Sequence, residues 1–252
     1  MTIRRIDRGK NHTYEIDGKP ALGVTTALSK GLPKPALPYW SAKCVAEYVA
    51  SLDTESFEIL KRTGTQPMVN ALKAIPWAAR DTAAANGTEV HKHAQDLIAD
   101  TEVDVPDHLR GYVVAAANFM DDWKVHPLLV ERVVASYRWM YAGTLDLVAE
   151  LPDGRRVLFD YKTSRSGIYP ETALQLAAYR YADVFTNPGG LELPMSEVGI
   201  TDVMAVWLRP DGYDVIPLKA DEDTYKAFLH VAYVARVADT MREWVGQPVA
   251  AP

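Results

Sequence analysis

Apolar and polar residues alternate twice in close succession between Gly143 and Lys162, GTLDLVAELPDGRRVLFDYK. Leu145, Leu147 and Ala149 alternate with Asp146, Val148 and Glu150, and a period of two predicts a strand with those three apolar residues on one face. Asp153-Gly154 is a hairpin turn signal. Val157, Phe159 and Tyr161 then alternate with Leu158, Asp160 and Lys162, so Asp160 and Lys162 share a face of a second strand. The hairpin brings Asp146 on the first strand beside Asp160 on the second.

The rest of the pattern surrounds this hairpin. Residues 1–30 read as β-like, with a turn at Asp17-Gly18 and a basic cluster of Arg4, Arg5, Arg8 and Lys10 that reads as a solvated surface, with a DNA contact as the alternative. Residues 31–38 carry three prolines and predict a loop, followed by a helix from about Ala42 to Ala50 with Ser41 as its cap and Trp40 as an apolar staple or a stacking surface. Residues 53–76 predict a short helix and a loop. A second helix runs from about Trp77 to Asp100, with Gly87 as a candidate break or a point where another backbone approaches closely. An acidic loop over 101–107 precedes a helix to about Lys124, for which Asp107 is a candidate cap. Leu128 to Trp139 reads as a strand. Its Glu131 is a candidate extra acid for a metal site, and a salt bridge is the expected role. After Lys162 a polar loop leads to a helix over about 170–185, with Pro170 in its first turn. Then come a strand from Asp202 to Arg209, a turn, a strand from Tyr213 to Leu218, and an amphipathic helix from about Asp221 to Val245. The central order is α-β-β-β-α-β.

Length and composition narrow the class without identifying the chemistry. The chain has 252 residues, 48% of them hydrophobic and 24% charged, as in ordinary globular proteins with a sizeable core. We read one domain over 1–252, with an accessory region 1–76, a core 77–220 and a closing helical segment 221–252. No window approaches a membrane span and the first residues lack a secretion signal, so no membrane association and a cytoplasmic location are expected. Cys44 is the single cysteine, which excludes an intramolecular disulfide and any site built from several thiolates. The net charge of −6 counts mildly against a nucleic-acid partner, although only a local groove must be positive.

The chemistry-bearing residues are few. Two carboxylates and an ammonium among apolar strand residues are costly to bury without a partner or a metal. A divalent cation between Asp146 and Asp160 would relieve their repulsion, and hard oxygen ligands suit Mg²⁺ or Mn²⁺. In Gly87-Thr-Glu-Val-His91-Lys-His93, helical spacing puts His91 on the face of Gly87, Thr88 and Gln95, with His93 about 200° away. One helix therefore does not aim both rings at one metal. Gln175 and Tyr179 are one helical turn apart and face the same way.

Gly143-x-x-Asp146, Asp160-x-Lys162 and Gln175-x-x-x-Tyr179, in this order, resemble the PD-(D/E)XK nuclease superfamily. The likeness is to its RecB-type exonuclease branch, which includes small phage-type exonucleases and nucleases linked to CRISPR spacer acquisition. Gly87-Thr-x-x-His91 resembles the metal-binding histidine motif of that branch. The beginning of the chain (YxIDGxxxxxVTTALxxxLPKPALxxW) resembles its phage-type members.

The resemblance implies an α/β (α+β) fold, a central mixed β-sheet flanked by helices with a restriction-endonuclease-like αβββαβ core and an N-terminal extension. It implies a metal-dependent DNA exonuclease of recombination, repair or replication, acting on linear DNA ends. Mg²⁺ or Mn²⁺ would be held by His91, Asp146, Asp160 and the backbone carbonyl of Tyr161. Asp146, Asp160 and Lys162 would be catalytic, and Gln175 and Tyr179 would lie near the DNA backbone. The iron–sulfur cluster of some members is excluded by the cysteine count. A protein partner for loading or annealing and an oligomer stay open. So do three alternatives: a non-catalytic DNA-end-binding scaffold on the same fold, a structure-specific endonuclease, and an unrelated metallohydrolase using His91 and His93.

Overall fold

The computed structural model describes residues 2–9, 11–101 and 104–249; Lys10 of the basic cluster and residues 102 and 103 of the acidic loop lie outside the described residues. The elements run in the order β1 (Ile3–Arg8), β2 (Asn11–Ile16), β3 (Lys19–Gly23), α1 (Val24–Gly31), α2 (Ala36–Ser51), α3 (Thr54–Arg62), α4 (Thr65–Ile98) and α5 (Asp107–Asp122). Then follow β4 (His126–Ser136), β5 (Tyr141–Glu150), β6 (Arg156–Lys162), α6 (Glu171–Arg180), β7 (Val184–Thr186), β8 (Glu192–Pro194), β9 (Asp202–Arg209), β10 (Gly212–Pro217) and α7 (Glu222–Thr240). The protein is a mixed α/β fold on a mixed sheet. No described helix is long and apolar enough to cross a membrane.

The chain divides into two compact units, one of residues 1–32 with 90–252 and one of residues 33–89. In the larger unit, β4 lies antiparallel between β5 and β7, and β6 is antiparallel to β5. The step from β6 to β9 gives a parallel pair, with α6 in the connection, and β10 returns antiparallel along β9. The N-terminal strands β1 to β3 form an antiparallel meander whose Asp17-Gly18 turn has φ of +48° and +72°. Two left-handed residues in a two-residue loop match the twist of the strands they join, as the sequence predicts.

Two large apolar clusters and a small third one, of Tyr14, Ile16, Ala135 and Ala142, fill the larger unit. In the first, α1, α6 and α7 pack on Val134, Tyr141, Leu145, Val148 and Leu158. In the second, the end of α4 and α5 pack on Leu147, Ala149, Val157, Phe159 and Tyr161. Leu145 and Leu147, predicted to share a face, are thus in different clusters. The strand's alternation changes parity at Asp146.

The smaller unit holds α2, α3 and α4 as far as Glu89. Its prolines do not keep residues 31–38 out of a helix: Pro35 is the N-cap of α2 and Pro38 lies in its first turn, where a backbone N–H has no partner to lose. The predicted loop before Pro76 is also replaced by one continuous helix, α4, which contains Pro76 and runs through Gly87 without a break. Helical neighbours on both sides absorb the loss of one hydrogen bond and the flexibility of one glycine. Elsewhere Pro106, not Asp107, occupies the cap of α5. Helix α6 ends at Arg180, because β7 leaves for the sheet.

Candidate metal centre

The site forms where the sheet forks. One edge of β5 pairs with β3 at Tyr141 and Ala142, and with β6 from Leu147 onward. Gly143 to Asp146 lie between these pairings. On β6 the ladder to β5 ends at Phe159, so Asp160, Tyr161 and Lys162 run past it while still paired to β9. The polar groups of the motif occupy this gap.

Asp146 fills it from one side. Its Oδ2 accepts the backbone N–H of Tyr161 at 2.8 Å, replacing a missing ladder bond with a side-chain bond. The same oxygen lies 3.4 Å from Nδ1 of His91. The last turns of α4 belong to the larger unit, where Val90 and Ala94 pack into the second apolar cluster and present His91 to the fork. Nε2 of His91 donates to the Tyr161 carbonyl at 2.8 Å. Both ring nitrogens therefore face acceptors, an arrangement that suits the imidazolium. Burial opposes that charge, but Asp146 and then Asp160 outweigh it and raise the His91 pKa to about 9. Burial likewise opposes the charge of Asp146, yet His91, Lys162 and the Tyr161 N–H hold its pKa below the ordinary value.

Asp160 and Lys162 share a face, as predicted, and belong to a second group. Asp160 is 1% exposed and Lys162 Nζ lies 2.5 Å from its Oδ2. That contact is an ion pair, and the buried Oδ2 has no other partner among the described residues. Gln175 on α6 ties the pair together: its Nε2 donates to Asp160 Oδ1 at 3.1 Å and its Oε1 accepts from Lys162 at 3.4 Å. The same Nε2 donates to the Tyr179 hydroxyl at 3.2 Å. Tyr179 is 2% exposed, and its ring fills the space over Gly143, where a Cβ would meet it at 2.5 Å. Burial opposes the Lys162 charge, but Asp160 and Asp146 raise its pKa above the ordinary value, so Lys162 is an ammonium. Burial, with Asp146 adding to it, raises the pKa of Asp160 against the pull of Lys162.

Glu131, expected to form a salt bridge, has no hydrogen bond or ion pair to its carboxylate among the described residues. It lies on β4 between Val130, which pairs with Leu147, and Arg132, which pairs with Leu145, and so falls opposite Asp146. Ligand atoms of His91, Glu131 and Asp146 lie within 4.8 Å of one another, a grouping of metal-binding type. Burial and then the Asp146 charge push the Glu131 pKa up to about 7. The β4–β5 register that places Glu131 there follows from a turn over residues 137–140, inside the stretch the sequence predicts as strand. His93 is outside the group and its buried Nδ1 has no partner among the described residues.

These donors fit a hard divalent cation: carboxylates, one imidazole and a backbone carbonyl. The N-terminal meander reaches the same place. Tyr14 and Thr144 hydroxyls are 2.9 Å apart, and Arg5 donates to Thr144 at 3.3 Å, two residues before Asp146. Trp40, Trp77 and Tyr169 are exposed.

No protein-family model matches the chain. No curated protein matches it. Among solved structures it is similar to one described as "Crystal structure of SSO0001", at 12% identity over 84% of this chain and 87% of that one, with a TM-score of 0.27. A likeness at that score carries no argument about fold or function.

Proposed function

We propose that the protein is a metal-dependent DNA exonuclease of the PD-(D/E)XK superfamily, RecB-type branch, hydrolysing phosphodiester bonds at the ends of linear DNA. The observation that carries the reading is the Lys162 ammonium, in contact with Asp160 and bonded to Gln175 at the fork where Asp146 and His91 meet. Phosphodiester hydrolysis forms a bond from a water oxygen to phosphorus and breaks the bond to the leaving sugar oxygen, which must gain a proton. Negative charge grows on the phosphate oxygens along the way. His91, Asp146, Asp160 and the Tyr161 carbonyl would hold Mg²⁺ or Mn²⁺, which when bound supplies a more acidic water and a counter-charge for the phosphate.

The remaining work falls to the chain itself. Lys162 is charged, so its role is to donate to a phosphate oxygen or to orient water, and abstraction of a proton is not open to it. Gln175 is a positioning residue that fixes the Asp160 and Lys162 side chains, and Tyr179 fixes Gln175. The expected contact of Gln175 and Tyr179 with the DNA backbone becomes, in this reading, an indirect one.

The experiment is digestion of end-labelled linear single- and double-stranded DNA beside closed circles, with Mg²⁺, Mn²⁺ or EDTA. Metal-dependent loss of linear DNA alone is the expected outcome, with at least a hundredfold lower turnover in Lys162→Ala and metal binding kept. Cutting of circles would make the protein an endonuclease. DNA binding without cleavage under any metal would make it an end-binding scaffold.

A further inference from the structure

The basic cluster of β1 has no part in the metal chemistry, yet one of its members reaches the fork. Side chains alternate along a strand, so Arg4 and Arg8 share one face of β1 and Arg5 lies on the other, with Ile3 and Asp7. Arg5 pairs across the ladder with Tyr14 of β2. Both side chains end on Thr144 of β5. Arg5 Nη1 donates to its Oγ1 at 3.3 Å, and the Tyr14 hydroxyl lies 2.9 Å from the same oxygen. Tyr14 is 4% exposed, so this anchor is fixed. Thr144 is two residues before Asp146, about 7 Å along the strand.

The guanidinium is oriented but not used up. Its Nε donates to Asp7 at 2.9 Å and its Nη1 to Thr144. Its Nη2 donates to nothing among the described residues, and the side chain is 35% exposed. Asp7 is 67% exposed, and an ion pair so open to water holds weakly. A guanidinium held in plane by two acceptors, with its outer edge in solvent, presents donors in the geometry that phosphate oxygens accept.

Charge gives that edge a task. The chain carries −6, and the fork gathers Glu131, Asp146 and Asp160, so an approaching DNA strand is repelled unless cations stand beside them. Lys162 is in contact with Asp160, and His91 lies beside Asp146. Arg5 is a further cation, and its charge reaches Glu131. Lys162 is fastened to Gln175 of α6 and Arg5 to the N-terminal meander, so the two arrive at the fork on different elements.

We propose that Arg5 is a DNA-binding residue that holds a backbone phosphate next to the one being cut, aimed by Thr144, Tyr14 and Asp7. The offset of Thr144 from Asp146 along β5 places the guanidinium beside the reacting phosphate and not on it. That the ligand is DNA rests on the nuclease reading, but the contact is measured by binding, without cleavage.

The test is titration of a short fluorescent DNA duplex with the intact chain in EDTA, for the wild type, Arg5→Gln, Arg5→Lys and Arg4→Gln, at salt concentrations from about 50 to 200 mM. Arg5→Gln is expected to bind at least fivefold more weakly, with a plot of log K against log salt shallower by about 0.9, the share of one phosphate contact. Arg4→Gln loses the same charge from the other face of β1 and should stay within twofold of the wild type. Arg5→Lys keeps the charge without the planar fork; its slope should match the wild type with binding at least twofold weaker. It carries the test alone if circular dichroism shows Arg5→Gln unfolded. With Mg²⁺ or Mn²⁺ present, Arg5→Gln should raise KM at least fivefold and leave kcat within threefold, because the contact is off the reacting atoms. A residue that only clamps the meander would leave the salt slope unchanged. That outcome, equal losses in Arg5→Gln and Arg4→Gln, binding by Arg5→Gln within twofold of the wild type, or no binding by the wild type would each overturn the assignment. If binding follows the expectation but no metal supports cleavage, the Arg5 contact stands and the nuclease reading falls.

Discussion

The two units of the chain are built on different terms. In the larger one, the side chains of two apolar clusters are buried on either side of the sheet, and Phe119, Phe159, Leu147 and Leu158 are fully enclosed. In residues 33–89 no hydrophobic side chain other than a proline is buried; α2 and α3 contribute none, and Tyr39, Ile59 and Trp77 are 80%, 57% and 60% exposed. Burial of apolar area is the dominant stabilising term in folding. The larger unit can therefore hold Asp160 and Asp146 in place against their own desolvation. The helices of 33–89 depend on local terms, namely propensity, caps and helix length.

The largest effect should come from cutting into that difference directly. Phe159→Ala removes a fully buried ring that packs edge-on to Phe119 at 5.1 Å, and should cost about 3–5 kcal/mol. Trp77→Ala removes a larger side chain that is mostly in solvent, stacked under Arg80, and should change global stability by less than about 0.5 kcal/mol. Urea unfolding followed by circular dichroism measures both. Equal losses would mean that the two units unfold on the same terms.

A second contrast lies in pH. His91 is held at about 9 against an ordinary 6.5, so the folded chain binds this proton more tightly than the unfolded one. The stability it contributes is complete below about pH 6.5 and is lost as pH rises through about 9. Glu131, at about 7 against 4.5, acts in the same direction over a lower window. For His91 the ceiling is about 3 kcal/mol, from the shift of its pKa. Asp53 in the smaller unit has the opposite sign. The backbone N–H of Ser56 lowers its pKa, so its contribution is present above an ordinary 3.8 and lost in acid. In EDTA, urea midpoints should fall between pH 6.5 and 9, and His91→Gln should flatten that fall. An unchanged profile in the variant would remove His91 as its cause.

What the sequence made legible follows the same division between local and tertiary causes. The hairpin of β5 and β6 was readable because period-two alternation and Asp153-Gly154 are local signals, and Asp160 and Lys162 do share a face. The parity change at Asp146 was not readable, because it arises where β3 and β6 divide one edge of β5. Glu131 was seen as an acid on a strand. Its position opposite Asp146 depends on the β4–β5 register and on a left-handed backbone that no propensity predicts. In the smaller unit the early start of α2 was hidden by prolines, which end helices in the interior and are tolerated in a first turn. Glycines were ambiguous for a related reason. Gly87, a candidate break or point of close approach, lies inside α4, while Gly143, which carries no conformational signal, matters because Tyr179 occupies the space of its missing Cβ.

That close approach gives the next prediction. Gly143→Ala would place a Cβ 2.5 Å from Cε1 of Tyr179, and a ring that is 2% exposed has little room to retreat. Overpacking of this kind should cost about 1–3 kcal/mol. It should also disturb Gln175, and through it Lys162, so turnover on DNA should fall by more than the folded fraction does. Stability measured by urea and turnover measured on the same sample separate the two effects. A loss of stability with full turnover per folded molecule would show that the Tyr179–Gln175–Lys162 chain of contacts does not position the site.

The smallest effect gives the cleanest comparison, because one capping device occurs in both units. Asp53 accepts the backbone N–H of Ser56 at the start of α3, and Asp221 accepts that of Thr224 at the start of α7. Each satisfies an N–H that the helix itself leaves without a partner. Replacing either with Ala removes the same kind of bond, but the helices differ in what they are fastened to. Helix α7 buries Phe228, Ala232 and Ala235 in the first apolar cluster, and α3 buries no side chain. The loss at Asp221 should therefore appear in global stability as a lower urea midpoint. The loss at Asp53 should appear as faster amide exchange confined to α3, with the global midpoint unmoved, because a helix without buried contacts opens locally. If Asp53→Ala lowers the global midpoint as much as Asp221→Ala, α3 unfolds only with the rest of the protein, and exposure of its side chains is then a poor guide to how it is held.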